Sequence, residues 1–168
     1  MIFVIVGTSQ YQFNRLAHAV NDHANENPKE RIVIQSGYTM TFKKASNISK
    51  KSFYTFDKMQ DLIKTAHIVI THAGEGSVYL TLYLSKDPPI IVPRNPHFRE
   101  HVDSQQLEIA EVVKKRKLAV VLTNPRRLSD AIKSYEMLSK NLVEYKQKKP
   151  EIGALINYLN NYVTRITK

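Results

Sequence analysis

The sequence predicts an α/β chain built on a doubly wound parallel sheet of about six strands. Three observations lead there. Short unbroken apolar runs recur, such as Ile2 to Val6, Ile90 to Val92 and Leu118 to Leu122, the pattern of strands covered on both faces. Stretches with apolar residues at helical spacing alternate with these runs, which is the signature of strand–helix–strand units. Two strands also pass through glycine toward a small hydroxyl residue near a helix start, at Gly7-Thr8-Ser9 and at Gly74-Glu75-Gly76-Ser77.

Taken in order, Ile2 to Val6 is the first strand, followed by a helix carrying Phe13, Leu16, Ala17 and Val20 on one face. Asn25 to Pro28 is a polar connection, and Arg31 to Gln35 is the second strand, closed by Ser36-Gly37-Tyr38. Thr41 to Ser52 is basic and polar without a clear period and reads as a loop or a short irregular helix. Phe53 to Phe56 reads as a short strand, and Asp57 as the N-cap of a helix with Met59, Leu62, Ile63 and Ala66 inward. His67 to Thr71 is the next strand.

The helix after Ser77 is apolar nearly all round and is expected to be deeply buried. Asp87-Pro88-Pro89 ends it and Ile90 to Val92 follows as a strand, with Pro93 to Arg99 as a polar loop. Asp103-Ser104-Gln105-Gln106 has the spacing of a capping box, opening a helix with Leu107, Ala110 and Val113 on its inner face. Leu118 to Leu122 is the last strand, and Asn124-Pro125 begins a helix with proline at its first position. The chain is expected to divide into a domain over residues 1–150 and a C-terminal amphipathic helix over 151–168. That helix carries Ile152, Leu155, Ile156, Leu159, Tyr162, Val163 and Ile166 as one apolar stripe.

A chain of 168 residues with 42% apolar and 24% charged residues has the composition of one soluble globular domain. No stretch approaches the apolar length needed to cross a bilayer, and no basic region precedes the first apolar run, so neither a span nor a leader is expected. Without cysteine there is no disulfide or thiolate chemistry. The formal charge is +10, and it is uneven: residues 1–110 hold 12 Lys/Arg against 10 Asp/Glu, residues 111–168 hold 13 against 5. That excess points to an acidic partner or an anionic membrane surface. A solvated basic face is the plainer reading. Nucleic acid ranks third, because no aromatic stacking motif or nucleic-acid module is present.

In a sheet of this kind ligands bind beyond the carboxyl ends of the strands. Gly7-Thr8, His72 to Ser77 and Arg94 to Gln106 all fall along that edge. Strand, glycine-bearing turn and helix N-terminus together suit a phosphate, since free backbone N–H groups and the positive end of the helix dipole converge there. A plain strand-to-helix turn is the alternative for Thr71 to Ser77. Neither glycine site is a GxGxxG fingerprint and no Walker lysine motif occurs, so ordinary dinucleotide binding and NTP hydrolysis are not supported. No His, Asp or Glu cluster has metal-ligand spacing.

Five ordered motifs carry a resemblance: Phe3-Val-Ile-Val-Gly-Thr8 with Phe13 and Arg15-Leu16; Ile34-Gln35 with Gly37-Tyr38; Ala66-His-Ile-Val-Ile-Thr-His-Ala-Gly74 with Gly76-Ser77; Ile91-Val-Pro-Arg94; and Glu100-His-Val-Asp103 with Gln106. From Met1 to about Leu122 the chain resembles the donor-binding, C-terminal half of family 28 glycosyltransferases, in particular those split into two polypeptides. Similar proteins are the small exopolysaccharide glycosyltransferase subunits of bacteria and the cytosolic subunit of the eukaryotic lipid-linked GlcNAc transferase.

The resemblance implies a Rossmann-like domain forming one half of a GT-B enzyme. It implies a UDP-sugar as donor and transfer of a hexose or N-acetylhexosamine in polysaccharide or capsule biosynthesis. A membrane-anchored partner subunit would hold the lipid-linked saccharide acceptor, with no cofactor and no nucleic acid involved. The chain would then be cytoplasmic, peripheral at the inner face of the membrane through that partner, and inactive without it. Gly74, Gly76 and Ser77 would cradle the diphosphate, with His72 beside them and Gly7 and Thr8 lining the cleft opposite. Asp103 and Gln106 would meet the donor sugar, and Arg94 the phosphate or merely solvent. No catalytic residue is assigned.

The chain departs from the family pattern at Leu80, where a ribose-binding acid is usual, and at Ser9 and Gln105, where histidines are usual. Glu75 does not replace the acid from the same direction. These departures support an alternative: a partner or activator subunit of another transferase that has lost donor binding.

Overall fold

The computed structural model describes residues 1–142. The expected Lys146–Lys149 link and the helix over 151–168 lie outside the described residues.

Six parallel strands form one sheet: β1 (Ile2–Ile5), β2 (Ile32–Gln35), β3 (Ile48–Lys51), β4 (Ile68–His72), β5 (Ile90–Val92) and β6 (Val120–Val121). Their order is β3-β2-β1-β4-β5-β6, and every neighbouring pair is parallel. The chain therefore starts in the middle, winds outward to β3, then returns past β1 to build the other half from β4. Between β1 and β4 the winding reverses, and in such sheets the crevice at that point is where ligands bind. In register, Ile5 lies opposite Thr71, so the ends of β1 and β4 open side by side.

Strand side chains alternate between faces, and the core divides accordingly. Ile2, Val4, Ile32, Ile34, Ile68 and Ile70 pack on α1 (Asn14–Glu26) together with Leu128 and Tyr135 from α5 (Leu128–Lys133) and α6 (Tyr135–Lys140). On the other face Phe3, Ile5, Val33 and Val69 pack on Leu62 and Ile63 of α2 (Phe56–Thr65) and on Leu80 and Leu84 of α3 (Glu75–Leu84). A third cluster joins Ile91 to Ala110 and Val113 of α4 (Gln105–Lys115).

Four expectations are corrected. The stretch read as loop or irregular helix contains β3, whose Ser49, Lys50 and Lys51 are exposed. An edge strand with so little burial has no apolar alternation to betray it, and lysine there blunts the open edge. Phe53 to Phe56 is not a strand; Phe56 opens α2, and Thr55 rather than Asp57 is its N-cap, accepting from the Lys58 N–H. In α3 only Val78 and Thr81 are buried; the other apolar side chains are half-buried, Leu80 and Leu84 on the α2 side of the core and Leu82 on the α4 side. At Asn124-Pro125 a helical stretch does begin, with Asn124 as its N-cap and Pro125 in its first turn, as one 3-10 turn, Pro125–Arg127, followed by two short helices.

Candidate functional site

The site is built where β1 and β4 end. Past β1 the backbone turns through Gly7 at φ +89, a conformation that L side chains rarely adopt. The Gln35 side chain clasps this residue: its Oε1 accepts from the Gly7 N–H and its Nε2 donates to the Gly7 carbonyl, both at 3.0 Å. A further bond from Nε2 to the Ser52 carbonyl at 2.9 Å ties the ends of β1, β2 and β3 together. Sequence reasoning gave Gln35 no role. The signal available was a lone amide closing an otherwise apolar strand, since a buried amide must find partners.

His72 is the last residue of β4 and is buried. Its ring lies between the two glycines: a Cβ built on Gly7 would come within 2.5 Å of Nε2, and one on Gly74 would also collide with that atom. Burial, helped by the positive charge of Arg94, lowers its pKa from 6.5 to about 3, while the Ile5 carbonyl acts in the opposite direction. The imidazole is thus neutral at physiological pH, and its Nδ1 has no partner of hydrogen-bond geometry.

Directly beyond it, Gly74 is the N-cap of α3 without any side-chain cap. The first-turn N–H groups of α3 have no intrahelical acceptors. Glu75 and Gly76 are exposed, Ser77 is half-buried, and nothing lies within 4 Å of where a Gly76 Cβ would sit. The arrangement leaves an open, positively polarised helix end floored by a neutral ring. Thr8, exposed on the β1 turn, faces the same edge of the sheet.

Arg94 is placed differently from its expected role. It is fully buried, donating to the carbonyls of Val6 (3.0 Å), Tyr11 (2.8 Å) and Glu100 (3.0 Å), with its guanidinium over the Phe13 ring. Burial lowers its pKa from 12.5 to about 10 against the pull of Glu100, so it stays charged at neutral pH. A group enclosed in this way is an internal strut, out of reach of an ion on the surface. Gln106 is likewise buried, its Oε1 accepting from the N–H groups of Ala73 and Arg94, both at 3.2 Å. The expected capping box is therefore not formed: Ser104 is the N-cap of α4, while Asp103 Oδ1 accepts from the Gln105 N–H at 3.0 Å. Asp103 itself is exposed on the edge, held by His101 at 2.9 Å.

Arg15 supplies a second tie that sequence reasoning left without a role. Its Nε and Nη2 donate to the two carboxylate oxygens of Glu100 at 2.8 and 2.5 Å, and it stacks over Phe98 at 4.4 Å. Glu100 also accepts from the Asn95 N–H. The loop after β5 is thereby pinned to α1. A hollow of about 530 Å³ lies alongside, lined in part by Tyr11, Arg15, Phe98 and Glu100. Another, of about 710 Å³ and lined in part by His23, Glu30 and His67, touches none of these edge residues. Among the described residues, no group of three or more His, Asp or Glu side chains could hold a metal ion. Nor is any helix among them long and apolar enough to cross a membrane.

Residues 1–156 match the glycosyltransferase family 28 C-terminal domain. No curated protein sequence matches the chain. Among solved structures the fold is similar to the glycotransferase of kitacinnamycin (16% identity, TM-score 0.62), covering 88% of this chain and 38% of that one. It is similar to MurG of Acinetobacter baumannii (15%, 0.59), covering 86% and 44%, and to SnogD from Streptomyces nogalater (15%, 0.53), covering 94% and 43%. The chain thus spans less than half the length of each. At such identities the likeness is one of fold: the sheet and its helices match one half of GT-B glycosyltransferases.

Proposed function

Since the chain belongs to the family of the glycosyltransferase family 28 C-terminal domain, we propose that it is the donor-binding half of a two-part glycosyltransferase using a UDP-sugar. The observation that carries this reading is the uncapped N-terminus of α3 at the β1/β4 crevice, with Gly76 open to solvent. A diphosphate fits such an end, because free N–H groups and the helix dipole both favour negative charge.

In the proposed reaction an acceptor hydroxyl attacks C1 of the donor sugar and the bond from C1 to the diphosphate oxygen breaks. The N–H groups of Gly76 and Ser77 and the Ser77 hydroxyl stabilise the charge developing on the departing diphosphate. Gly7 and Thr8 line the crevice opposite, and Asp103 accepts from a sugar hydroxyl. Gly7 and Gly74 additionally make room for His72, whose low pKa keeps it from acting as a base near neutrality. Arg94 and Gln106 hold the edge in place from beneath. The proton from the acceptor goes to a base on the partner, a membrane-anchored subunit that binds a lipid-linked saccharide. This places the chain at the inner face of the membrane, in exopolysaccharide or capsule synthesis.

Leu80 favours a second reading, a partner subunit that no longer binds donor. It packs against the α2 side of the core, where it presents no carboxylate to a ribose. Titration calorimetry of the full chain with UDP and several UDP-sugars separates the two. Binding that is abolished by Gly76→Asp supports the first reading, and the absence of heat with every nucleotide overturns it.

A further inference from the structure

Half of the large hydrophobic side chains exposed among the described residues lie in one short stretch, at the carboxyl ends of β2 and β3. Tyr38 is 53% exposed, Met40 81%, Phe53 47% and Phe56 64%. The fold brings together the two segments that carry them. Backbone bonds from Ser36 to Lys51 and from Gly37 to Ser52 hold the two strand ends side by side, and Tyr38 meets Phe53 edge to face at 5.6 Å. The Gln12 side chain bonds both the Tyr38 carbonyl and the Met40 N–H, fixing that loop in its outward pose. The same segment carries the exposed Lys43, Lys44, Lys50, Lys51 and Lys58, and Asp57 is the single carboxylate between residues 36 and 60.

Edge protection accounts for Lys50 and Lys51, which sit on the outermost strand. It does not account for a methionine and three aromatic rings left in water beside them, since apolar side chains that cluster on a surface mark a contact site. Aromatic and long apolar side chains that enter the interfacial zone, within a collar of lysines drawn to anionic headgroups, form the chemistry of a peripheral membrane contact. A protein partner that matched this surface would need carboxylates around an apolar centre, an outcome that the vesicle test below separates from lipid binding.

We propose that Tyr38, Met40, Phe53 and Phe56, with Lys43, Lys44, Lys50 and Lys51, form a surface that docks this chain directly on an anionic lipid bilayer. The contact is made by the domain itself. It lies on the same edge of the sheet as the β1/β4 crevice, two strands away, so docking brings that crevice close to the headgroups. None of its residues belongs to the basic stretch 111–168, and it is independent of any glycosyltransferase activity.

Co-sedimentation of the full chain with vesicles tests it, using phosphatidylcholine alone or mixed with phosphatidylglycerol, at low and high salt. Binding is expected only with the anionic lipid and is expected to weaken as salt rises. Met40→Ser/Phe56→Ser and Lys43→Glu/Lys44→Glu should each weaken binding about tenfold or more. Lys114→Glu/Lys115→Glu, the same charge change on α4, should retain most of it. Circular dichroism melts confirm that each variant is folded, and all substituted positions are exposed. No binding by the parent chain, unchanged binding by both patch variants, or an equal loss in the α4 variant would each overturn the proposal. So would a patch that proved necessary only for co-purifying a protein partner.

Discussion

The imidazole of His72 fills the space in which Gly74 would carry a side chain. Gly7 closes on the same ring from the other strand, so the ring is flanked by both glycines. Gly74→Ala is expected to cost about 1–3 kcal/mol, the usual range for overpacking a well-filled site. Gly7→Ala adds strain of about 1–2 kcal/mol at its positive φ. Gly76→Ala should be neutral or slightly stabilising, since its Cβ meets nothing and alanine favours helix by about 0.5–1 kcal/mol. Urea unfolding of the three variants, with His72→Ala/Gly74→Ala as the rescue, checks the assignment. Equal losses at all three glycines would contradict it.

Stability should fall in acid through His72. Its folded pKa of about 3 lies below the unfolded value of 6.5. Between those limits the unfolded chain binds a proton that the folded chain refuses, so stability rises with pH across that window and is lost as pH drops through it. One such group contributes a slope of roughly 1.4 kcal/mol per pH unit. Burial lowers the His23 pKa and adds in the same direction. Denaturation midpoints measured from pH 6.5 downward should show a shallower slope for His72→Gln than for the parent.

The two arginines near the site should fail in stability before they fail in binding. Arg94→Met would strand the carbonyls of Val6, Tyr11 and Glu100, each at roughly 1–3 kcal/mol for a buried group left without a partner. Arg94→Lys cannot span all three. Thermal melts should show the loss, while nucleotide affinity of the fraction still folded should change little. A selective loss of affinity in a fully stable Arg94→Lys variant would return this side chain to the ligand.

Arg15 and Glu100 should couple strongly. Glu100→Gln breaks a bidentate pair whose acid is almost wholly buried, and the expected interaction energy in a double-mutant cycle with Arg15→Gln is about 1–3 kcal/mol. Arg15→Lys should recover little of it, because an ammonium cannot reproduce the fork.

The sheet was legible because its central strands are buried on both faces. β1, β2, β4 and β5 each leave an unbroken apolar run, and α1 and α4 leave a stripe, so burial wrote itself into local composition. β3 was not legible, because an edge strand borrows its regularity from one neighbour and shows solvent the rest. The N-cap of α2 was misplaced by two residues, since Thr55 and Asp57 are equally good capping types and only backbone geometry chooses between them.

The fold class, the family resemblance and the edge on which Gly7, His72 and Gly74 would lie can all be read from residue types in their order along the chain. What the polar residues of that edge do is settled by packing between distant segments. Arg94, expected at a phosphate or in solvent, and Gln106, expected at the donor sugar, instead lie beneath the surface, while Gln35 and Arg15 tie together segments far apart in the chain. Whether a charged or amide side chain faces solvent or a buried carbonyl depends on which distant segment packs over it, and that information is absent from its neighbours in sequence.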